Sequence, residues 1–239
     1  MGKENIVMRV LLVTGANRGI GLGLTVQSLE RGDQVFAGCR SPEKASQLNR
    51  LQERHGDRLV VLPLDVTSES AITNALATVQ GVSDHVDILF NNAGIAGDKS
   101  PLGRLQAGEM LDTYATNAVA PFMVSQACLP LLRHGKRPVI ASITSRMGSI
   151  GDNGSGGWYG YRASKAALNM LNASLALDLA DQGIIAVVLH PGWVRTDMGG
   201  QGANLTIDES VAGLLKVVDG LTQSDSGQFF DWRGKEIPW

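Results

Sequence analysis

The sequence predicts a single α/β domain with a doubly wound parallel sheet and helices on both of its faces. Short apolar runs alternate six times with helical patterns along the chain, an order typical of such sheets. A glycine-rich turn follows the first run, and small polar motifs follow most of the others. Because the carboxyl ends of parallel strands meet at one edge, we expect these motifs to form one ligand-binding crevice.

The composition fits one globular domain that covers residues 1–239. Hydrophobic residues make up 44% of the 239 positions, enough to bury one large core. Lys and Arg number 21 against 23 Asp and Glu, without a long run of either sign. We therefore expect a small-molecule partner, with no nucleic acid and no membrane surface.

The cysteines and the amino terminus favour a cytoplasmic location. Cys39 and Cys128 are the only two cysteines and lie far apart, which fits a reducing compartment better than a disulfide framework. Met1–Arg9 lacks the apolar core of a secretory signal, and we expect no apolar stretch long enough to span a bilayer.

The first predicted strand, Val10–Val13, leads into a glycine turn and then into a helical pattern over Leu22–Arg31. The turn has the sequence Thr14-Gly15-Ala16-Asn17-Arg18-Gly19-Ile20-Gly21. Glycines lack a Cβ and a helix start offers unpaired N–H groups, so this turn can hold the pyrophosphate of a dinucleotide. The usual Gly-x-Gly-x-x-Gly spacing is absent, and the glycines also suit a plain strand-to-helix connection.

The second predicted strand, Gln34–Cys39, indicates the type of cofactor. An Asp or Glu at its carboxyl end would bind the ribose hydroxyls of NAD, but Arg40 follows instead. Together with Arg18 in the glycine turn, Arg40 can bind the 2′-phosphate of NADPH through forked hydrogen bonds. Either arginine can equally be a solvated surface charge.

The third and fourth predicted strands, Leu59–Leu64 and Val86–Phe90, carry further candidate cofactor contacts. Asp65 and Val66 follow the third strand, before a helix from about Ser68 to Val79. Asp65 is either a helix-entry residue or a neighbour of the adenine. The fourth strand delivers Asn91-Asn92-Ala93-Gly94, whose small residues let the backbone meet a cofactor.

The segment Ala107–Arg133 is helical in pattern but contains Asn117 and, four residues later, Pro121. Because proline has no N–H, the Asn117 carbonyl loses its helical donor, and we expect a kink there. The free carbonyl can then accept a bond from another partner. A kink that serves packing alone would leave the same pattern.

Two more predicted strands, Pro138–Ile143 and Ile184–Leu189, complete the sheet. The first of them leads to Ser145, and the second to His190-Pro191-Gly192-Trp193-Val194-Arg195-Thr196. His190 has no Asp or Cys at ligand spacing, so we expect no metal site there.

Tyr161 and Lys165 precede a long apolar run, Ala166–Ala180. On a helix, their spacing of four places the phenol and the ammonium on one face. A cation beside a phenol favours the phenolate and makes the phenol proton easier to transfer. A tyrosine and a lysine at this spacing are common by chance, so a catalytic interpretation depends on the other motifs. Tyr159 is a second nearby phenol, but Ala163 rather than a lysine lies four residues on.

Taken together, these motifs resemble the short-chain dehydrogenase/reductase family over essentially the whole chain. The matching elements are Thr14–Gly21, Asn91–Gly94, Ser145, the Tyr161/Lys165 pair and Pro191-Gly192. Three further elements are similar to its C-factor-like and carbonyl-reductase-like branch, namely Asn17-Arg18, Gly192–Met198 and Ile237-Pro238-Trp239.

The resemblance implies a Rossmann-type fold and defined roles for the site residues. Tyr161 would be the acid in carbonyl reduction, Lys165 would lower its pKa and hold the nicotinamide ribose, and Ser145 would bond the substrate oxygen. Asn117 would hold a water on a proton relay. The implied cofactor contacts are Gly15, Asn17, Arg18, Gly19, Ile20, Gly21, Arg40, Asp65, Val66, Asn91, Ala93, Gly94, Tyr161, Lys165, Pro191, Gly192, Val194 and Thr196.

The activity expected from these features is NADPH-dependent reduction of a small aldehyde or ketone. A dinucleotide-binding signalling or regulatory protein with incidental reductase activity is the alternative. Sixteen residues separate Ser145 from Tyr161, slightly more than the common family spacing, so we expect this loop to shape the substrate pocket in its own way. The apolar helix after Lys165 predicts a homodimer or homotetramer.

Overall fold

The computed structural model describes residues 8–239 and contains a seven-stranded, wholly parallel sheet. The strands are β1 Val10–Thr14, β2 Gln34–Cys39, β3 Leu59–Pro63, β4 Ile88–Asn91, β5 Val139–Ile143, β6 Ile185–His190 and β7 Phe229–Asp231. Their order is β3-β2-β1-β4-β5-β6-β7. The predicted doubly wound α/β fold is confirmed.

Helices cover both faces of the sheet. They are α1 Gly19–Glu30, α2 Ser46–His55, α3 Glu69–Gln80, α4 Ala107–Tyr114, α5 Ala120–Leu132, α6 Tyr159–Asp178 and α7 Ile207–Gly220. Alternate residues of a strand pack on opposite sides: Leu11 and Val13 of β1 join the core under α1, α2 and α7, whereas Val10 and Leu12 join the core under α3, α5 and α6. This double burial explains why the strands are almost wholly apolar.

The irregularity predicted at Asn117 is present. A π-helical turn, Ala115–Val119, joins α4 to α5, so the helix is not regular there. Pro121 is the second residue after this turn and cannot donate a backbone hydrogen bond. Single π turns of this kind are frequent at functional sites.

Three elements were not predicted from the sequence, namely β7, α2 and α7. Strand β7 has only three residues, too few for a periodic signal. Helix α7 does carry a start signal, because the Thr206 hydroxyl accepts from Glu209 N–H and the Glu209 carboxylate accepts from Thr206 N–H. That capping box is visible in the sequence as Thr-Ile-Asp-Glu.

The prediction that no apolar stretch is long enough to span a bilayer is wrong. One helical stretch is long and apolar enough, judged by its length and composition alone. Within residues 8–239, the helical stretch Ala107–Leu132 reaches a mean hydropathy of 1.2 over an 18-residue window. Half of that window is buried inside the protein, as it is in the core helix of a folded domain. The expectation for Met1–Arg9 falls largely outside the described residues.

Candidate active site

The candidate site lies at the carboxyl edge of the sheet, where the strand order reverses between β1 and β4. The Thr14 hydroxyl joins the two strand ends, since it accepts hydrogen bonds of 3.0 Å from the N–H groups of Asn92 and Ala93. The Asn92 side chain donates in turn to the carbonyls of Thr14 and Gly15, at 3.0 and 3.1 Å. These bonds fix the glycine turn against the loop after β4.

The glycine turn has the shape of an anion cradle. Gly15 has a φ of +64°, and a Cβ there would lie 2.9 Å from the Ala93 Cα. A Cβ on Gly21 would collide with the Gly15 carbonyl. Within residues 8–239, no side chain caps the start of α1 and no acidic residue lies in its first turn. The helix start therefore suits a pyrophosphate, whose negative charge favours the N-terminal end of the helix dipole.

Asp65 forms a turn just before α3, whose N-cap is Ser68, and its contact with an adenine remains a prediction. Its Oδ1 accepts from Thr67 N–H at 3.0 Å and from the Thr67 hydroxyl at 2.7 Å. These bonds, followed by the weaker attraction of Arg40, hold the pKa of Asp65 below its ordinary value. Val66 is 8% exposed and its side chain joins the core under α3, so only its backbone is left for a cofactor.

The two arginines expected at the 2′-phosphate differ in their contacts. Arg18 Nη1 lies 2.7 Å from Asp197 Oδ2, in the loop after β6, and both side chains are more than two-thirds exposed. Arg40 is exposed, lies near Asp65, and forms no salt bridge among residues 8–239. A phosphate at Arg18 therefore has to compete with Asp197, whereas Arg40 has no such competitor in the described chain.

The Asn91 side chain forms hydrogen bonds within the fold, and its cofactor contact remains a prediction. This side chain is buried, with Nδ2 donating to Ser125 Oγ at 2.8 Å and to Ser142 Oγ at 3.3 Å. Its Oδ1 is buried and has no hydrogen-bond partner within the described residues. The side chain therefore ties β4 to α5 and β5, and only the Asn91 backbone remains for a cofactor. The role of Asn92 was not predicted from the sequence.

Tyr161 and Lys165 lie on the first turns of α6, as the spacing predicted. Tyr161 is partly buried, and this burial raises the pKa of its phenol, while the Ser145 hydroxyl acts in the opposite direction. Lys165 is 5% exposed, and burial lowers its pKa from 10.5 to about 8. Its Nζ donates to the Ile143 carbonyl at 2.8 Å and lies 5.9 Å from the centre of the Tyr161 ring. In this geometry, Ser145 rather than Lys165 lowers the phenol pKa.

Asn117 connects the loop after β4 to α6. Its amide pairs with both backbone groups of Ile95, at 2.9 Å each, and donates to Ser164 Oγ at 3.1 Å. Ser164 in turn donates to the Tyr161 carbonyl at 2.8 Å. A Cβ on Gly94 would lie 3.1 Å from Asn117 Oδ1 and 3.8 Å from Lys165 Nζ, so these three residues meet. The water expected at the Asn117 carbonyl remains a prediction.

Ser145 lies at the end of β5 and is 9% exposed. Its Oγ accepts from Met147 N–H at 3.1 Å, which leaves the hydroxyl proton for another acceptor. The neighbouring Thr144 hydroxyl donates to Asn169 Oδ1 at 2.7 Å, and Asn169 Nδ2 donates to the Gly148 carbonyl at 3.3 Å. The role of Asn169 was not predicted, although a polar residue one helical turn after Lys165 indicates a side chain on the same face of the helix.

The loop after β6 lies against the glycine turn. Gly192 has a φ of +85°, Val194 is buried and pairs with Leu205, and a Cβ on Gly19 would lie 3.4 Å from the Thr196 methyl group. The Pro191 carbonyl accepts from Ser210 Oγ at 2.6 Å, which anchors the start of the loop to α7. Thr196 is thus placed next to the cradle, whereas Gly192 and Val194 lie against Leu205.

His190, at the end of β6, stays neutral at physiological pH, since burial lowers its pKa to about 4. Its buried Nδ1 has no hydrogen-bond partner within residues 8–239. The described residues contain no cluster of three or more His, Cys, Asp or Glu that could hold a metal ion.

Comparison with known proteins gives consistent matches. Residues 9–204 match the family described as short chain dehydrogenase. The chain is 50% identical over 154 residues to C-signal of Myxococcus xanthus, covering 64% of this chain and 93% of that protein. Its structure superimposes on the carbonyl reductase Sniffer of D. melanogaster with a TM-score of 0.94 and 37% identity, covering 98% of this chain and all of the other. An NADPH-bound carbonyl reductase from chicken fatty liver gives a TM-score of 0.92 and 40% identity over 97% of this chain and 99% of that one. This chain belongs to the short-chain dehydrogenase family of oxidoreductases.

Proposed function

We propose that the protein uses NADPH to reduce a small aldehyde or ketone to the alcohol. The observation that carries this proposal is the meeting of Ser145, Tyr161 and buried Lys165 at the sheet edge that also holds the glycine cradle. Because burial raises the pKa of Tyr161, the phenol is protonated at neutral pH. A protonated phenol is the form required to donate a proton during reduction.

NADPH, bound between the glycine turn and the loop after β6, would supply the hydride. Ser145 and Tyr161 would both donate hydrogen bonds to the substrate oxygen, and the phenol proton would pass to that oxygen as its negative charge develops. Lys165, with a pKa of about 8, exchanges protons near neutral pH and would replace the proton lost by Tyr161. Asn117 would position Tyr161 through Ser164.

The preference for NADPH rests on Arg40, which follows β2 where an acidic residue would bind NAD. Carbonyl reductases of similar fold bind NADPH or NADP, including those of chicken fatty liver and Pseudomonas aeruginosa. Arg40→Ala should weaken NADPH binding by about tenfold or more and leave NADH binding nearly unchanged. The exposed Arg50 of α2 gives a matched control, Arg50→Ala. An equal loss for both cofactors in Arg40→Ala would contradict the phosphate role.

The direct test of the activity is NADPH oxidation by the purified protein against a panel of aldehydes and ketones. We expect turnover with several members of the panel, and the product should be the corresponding alcohol. A protein that binds NADPH with micromolar affinity but reduces none of the compounds would overturn the proposal.

A second function, dinucleotide-dependent signalling, is favoured by the identity to C-signal over 154 residues. In that case, NADPH binding alone would be required for the biological effect. A Tyr161→Phe protein that binds cofactor without turnover separates the two functions, because a signalling protein retains its effect and a reductase loses it.

We also propose a homodimer or homotetramer located in the cytoplasm. Met170 and Leu177 of α6 are 67% and 79% exposed, and Leu111 of α4 is 66% exposed, so an apolar surface is left for a second copy. Both cysteines are free and buried, which suits a reducing compartment. Light scattering that shows only a 25.3 kDa species at micromolar concentration would refute the assembly.

A further inference from the structure

Trp158 has an unusual backbone conformation directly before the catalytic helix. With a φ of +52° and a ψ of +40°, it is the only non-glycine residue with a positive φ among residues 8–239. Gly156 and Gly157, immediately before it, also have positive φ values, of 63° and 68°. Glycine adopts this left-handed conformation without strain, whereas a bulky side chain does so at a cost. Strain of this kind persists where the surroundings impose it, and it concentrates at active sites.

Several contacts hold Trp158 in this conformation. Its carbonyl accepts the first helical bond of α6, from Arg162 N–H at 2.8 Å. The Arg162 guanidinium donates to the carbonyls of Gly156 and Gly157, at 3.2 and 3.1 Å, and to Ser155 Oγ at 2.8 Å. The left-handed turn is therefore attached to the helix that carries Tyr161, and the indole has a fixed position relative to the phenol.

The indole contacts both the proposed catalytic tyrosine and a cation. Its ring packs edge-on against the Tyr161 ring, with 6.0 Å between centroids and an interplanar angle of 67°. Lys99, from the loop after β4, places Nζ 4.7 Å from the centre of the Trp158 ring. Lys99 is exposed and has no carboxylate within salt-bridge distance in the described chain, so the cation–π contact is its main observed interaction.

We propose that Trp158 is a specificity-determining residue that forms one wall of the substrate pocket and favours carbonyl compounds bearing a flat aromatic ring. A carbonyl oxygen within reach of the Tyr161 hydroxyl places its substituent close to the indole, because the two rings are in contact. An aromatic substituent gains aromatic packing there that a flexible aliphatic chain does not. Lys99 stabilises the position of the indole through the cation–π contact. This inference rests on the proposed reductase function.

The test compares an aryl aldehyde with an aliphatic aldehyde of similar volume, by kcat/KM with NADPH. Trp158→Asn removes the aromatic wall but retains a residue that tolerates the left-handed conformation, so the backbone is preserved. We expect the ratio of aryl to aliphatic kcat/KM to fall about tenfold, mainly through a higher KM for the aryl substrate. Trp158→Phe should recover most of the ratio, and Lys99→Met should lower it about twofold.

Tyr159→Leu is the matched control, since it removes an aromatic ring one residue away that is 38% exposed. This variant should leave the ratio unchanged. If Trp158→Asn folds, binds NADPH like the wild type and keeps the wild-type ratio, the pocket role is refuted while the reductase function stands. If Trp158→Asn does not fold, Trp158→Phe and Trp158→Gly replace it. A wild-type ratio of aryl to aliphatic kcat/KM in both of these variants would also refute the pocket role. A wild-type protein that reduces neither aldehyde overturns the reductase function, and the specificity role with it.

Discussion

Replacing Lys165 with methionine should change how stability depends on pH. Lys165 is 5% exposed, and burial lowers its pKa from 10.5 to about 8. Between these two values the unfolded chain binds a proton that the folded protein has released. Stability therefore rises with pH in this window, and below about pH 8 the full cost of the buried charge is present.

The magnitude follows from the two pKa values. Raising the pH from about 7.5 to about 9.5 should increase the free energy of unfolding by about 2 kcal/mol through this one group. Lys165→Met has no proton to release, and its nearly isosteric side chain keeps the packing. The difference in stability between wild type and variant should therefore shift by about 2 kcal/mol in favour of wild type over this pH range.

Urea unfolding at the two pH values, monitored by circular dichroism, measures this shift. Other titrating groups are present in both proteins and largely cancel in the comparison. Lys216→Met on α7 is the control, because it makes the same substitution at an exposed lysine. A constant difference between Lys165→Met and wild type across this range would refute the idea that burial lowers the pKa of Lys165.

Two more predictions concern the helix that packs beside α6. Asn117→Ala removes three hydrogen bonds from a fully buried side chain, so the free energy of unfolding in urea should fall by about 3 kcal/mol. A loss below about 1 kcal/mol would argue against the bridge to Ile95 and Ser164. Pro121→Ala supplies the missing donor to the Asn117 carbonyl and should slow proton transfer, seen as a larger solvent isotope effect on kcat, while NADPH affinity is unchanged. An unaltered isotope effect would remove Pro121 from the relay.

Most of the sheet could be predicted because its strands are buried on both faces. The six predicted strands lie within about two residues of the observed bounds, since continuous apolar runs leave little freedom in placing a central strand. Strand β7 was missed because its pairing with β6 depends on tertiary contacts and its three residues carry no pattern. An irregular helix at Asn117 could be predicted, although not its π geometry, because the absence of an N–H in Pro121 is known from the sequence alone.

The positions of some site residues could be predicted and those of others could not. Motif spacing was sufficient to place Ser145 at a strand end and Tyr161 and Lys165 on one helix. The pairing of Arg18 with Asp197 joins residues 179 positions apart, and the burial of the Asn91 side chain depends on Ser125 and Ser142 from other elements. Such long-range contacts leave no trace in local periodicity.

The role proposed for Trp158 could not be predicted from the sequence for a different reason. The segment Gly156-Gly157-Trp158 predicts only a flexible loop. Its significance comes from a left-handed backbone at a residue that rarely adopts one, and from the contact with Lys99 in a distant loop. Neither feature follows from the residue types alone.

Tyr161 is proposed as the proton donor in an NADPH-dependent reduction. The most direct test measures, for Tyr161→Phe and for the control Tyr159→Phe, both the dissociation constant of NADPH and kcat with an aldehyde that the wild type reduces. We predict that Tyr161→Phe binds NADPH within about twofold of wild type while kcat falls by about 10²-fold or more, and that Tyr159→Phe matches wild type in both. A Tyr161→Phe protein that keeps wild-type turnover would contradict the account.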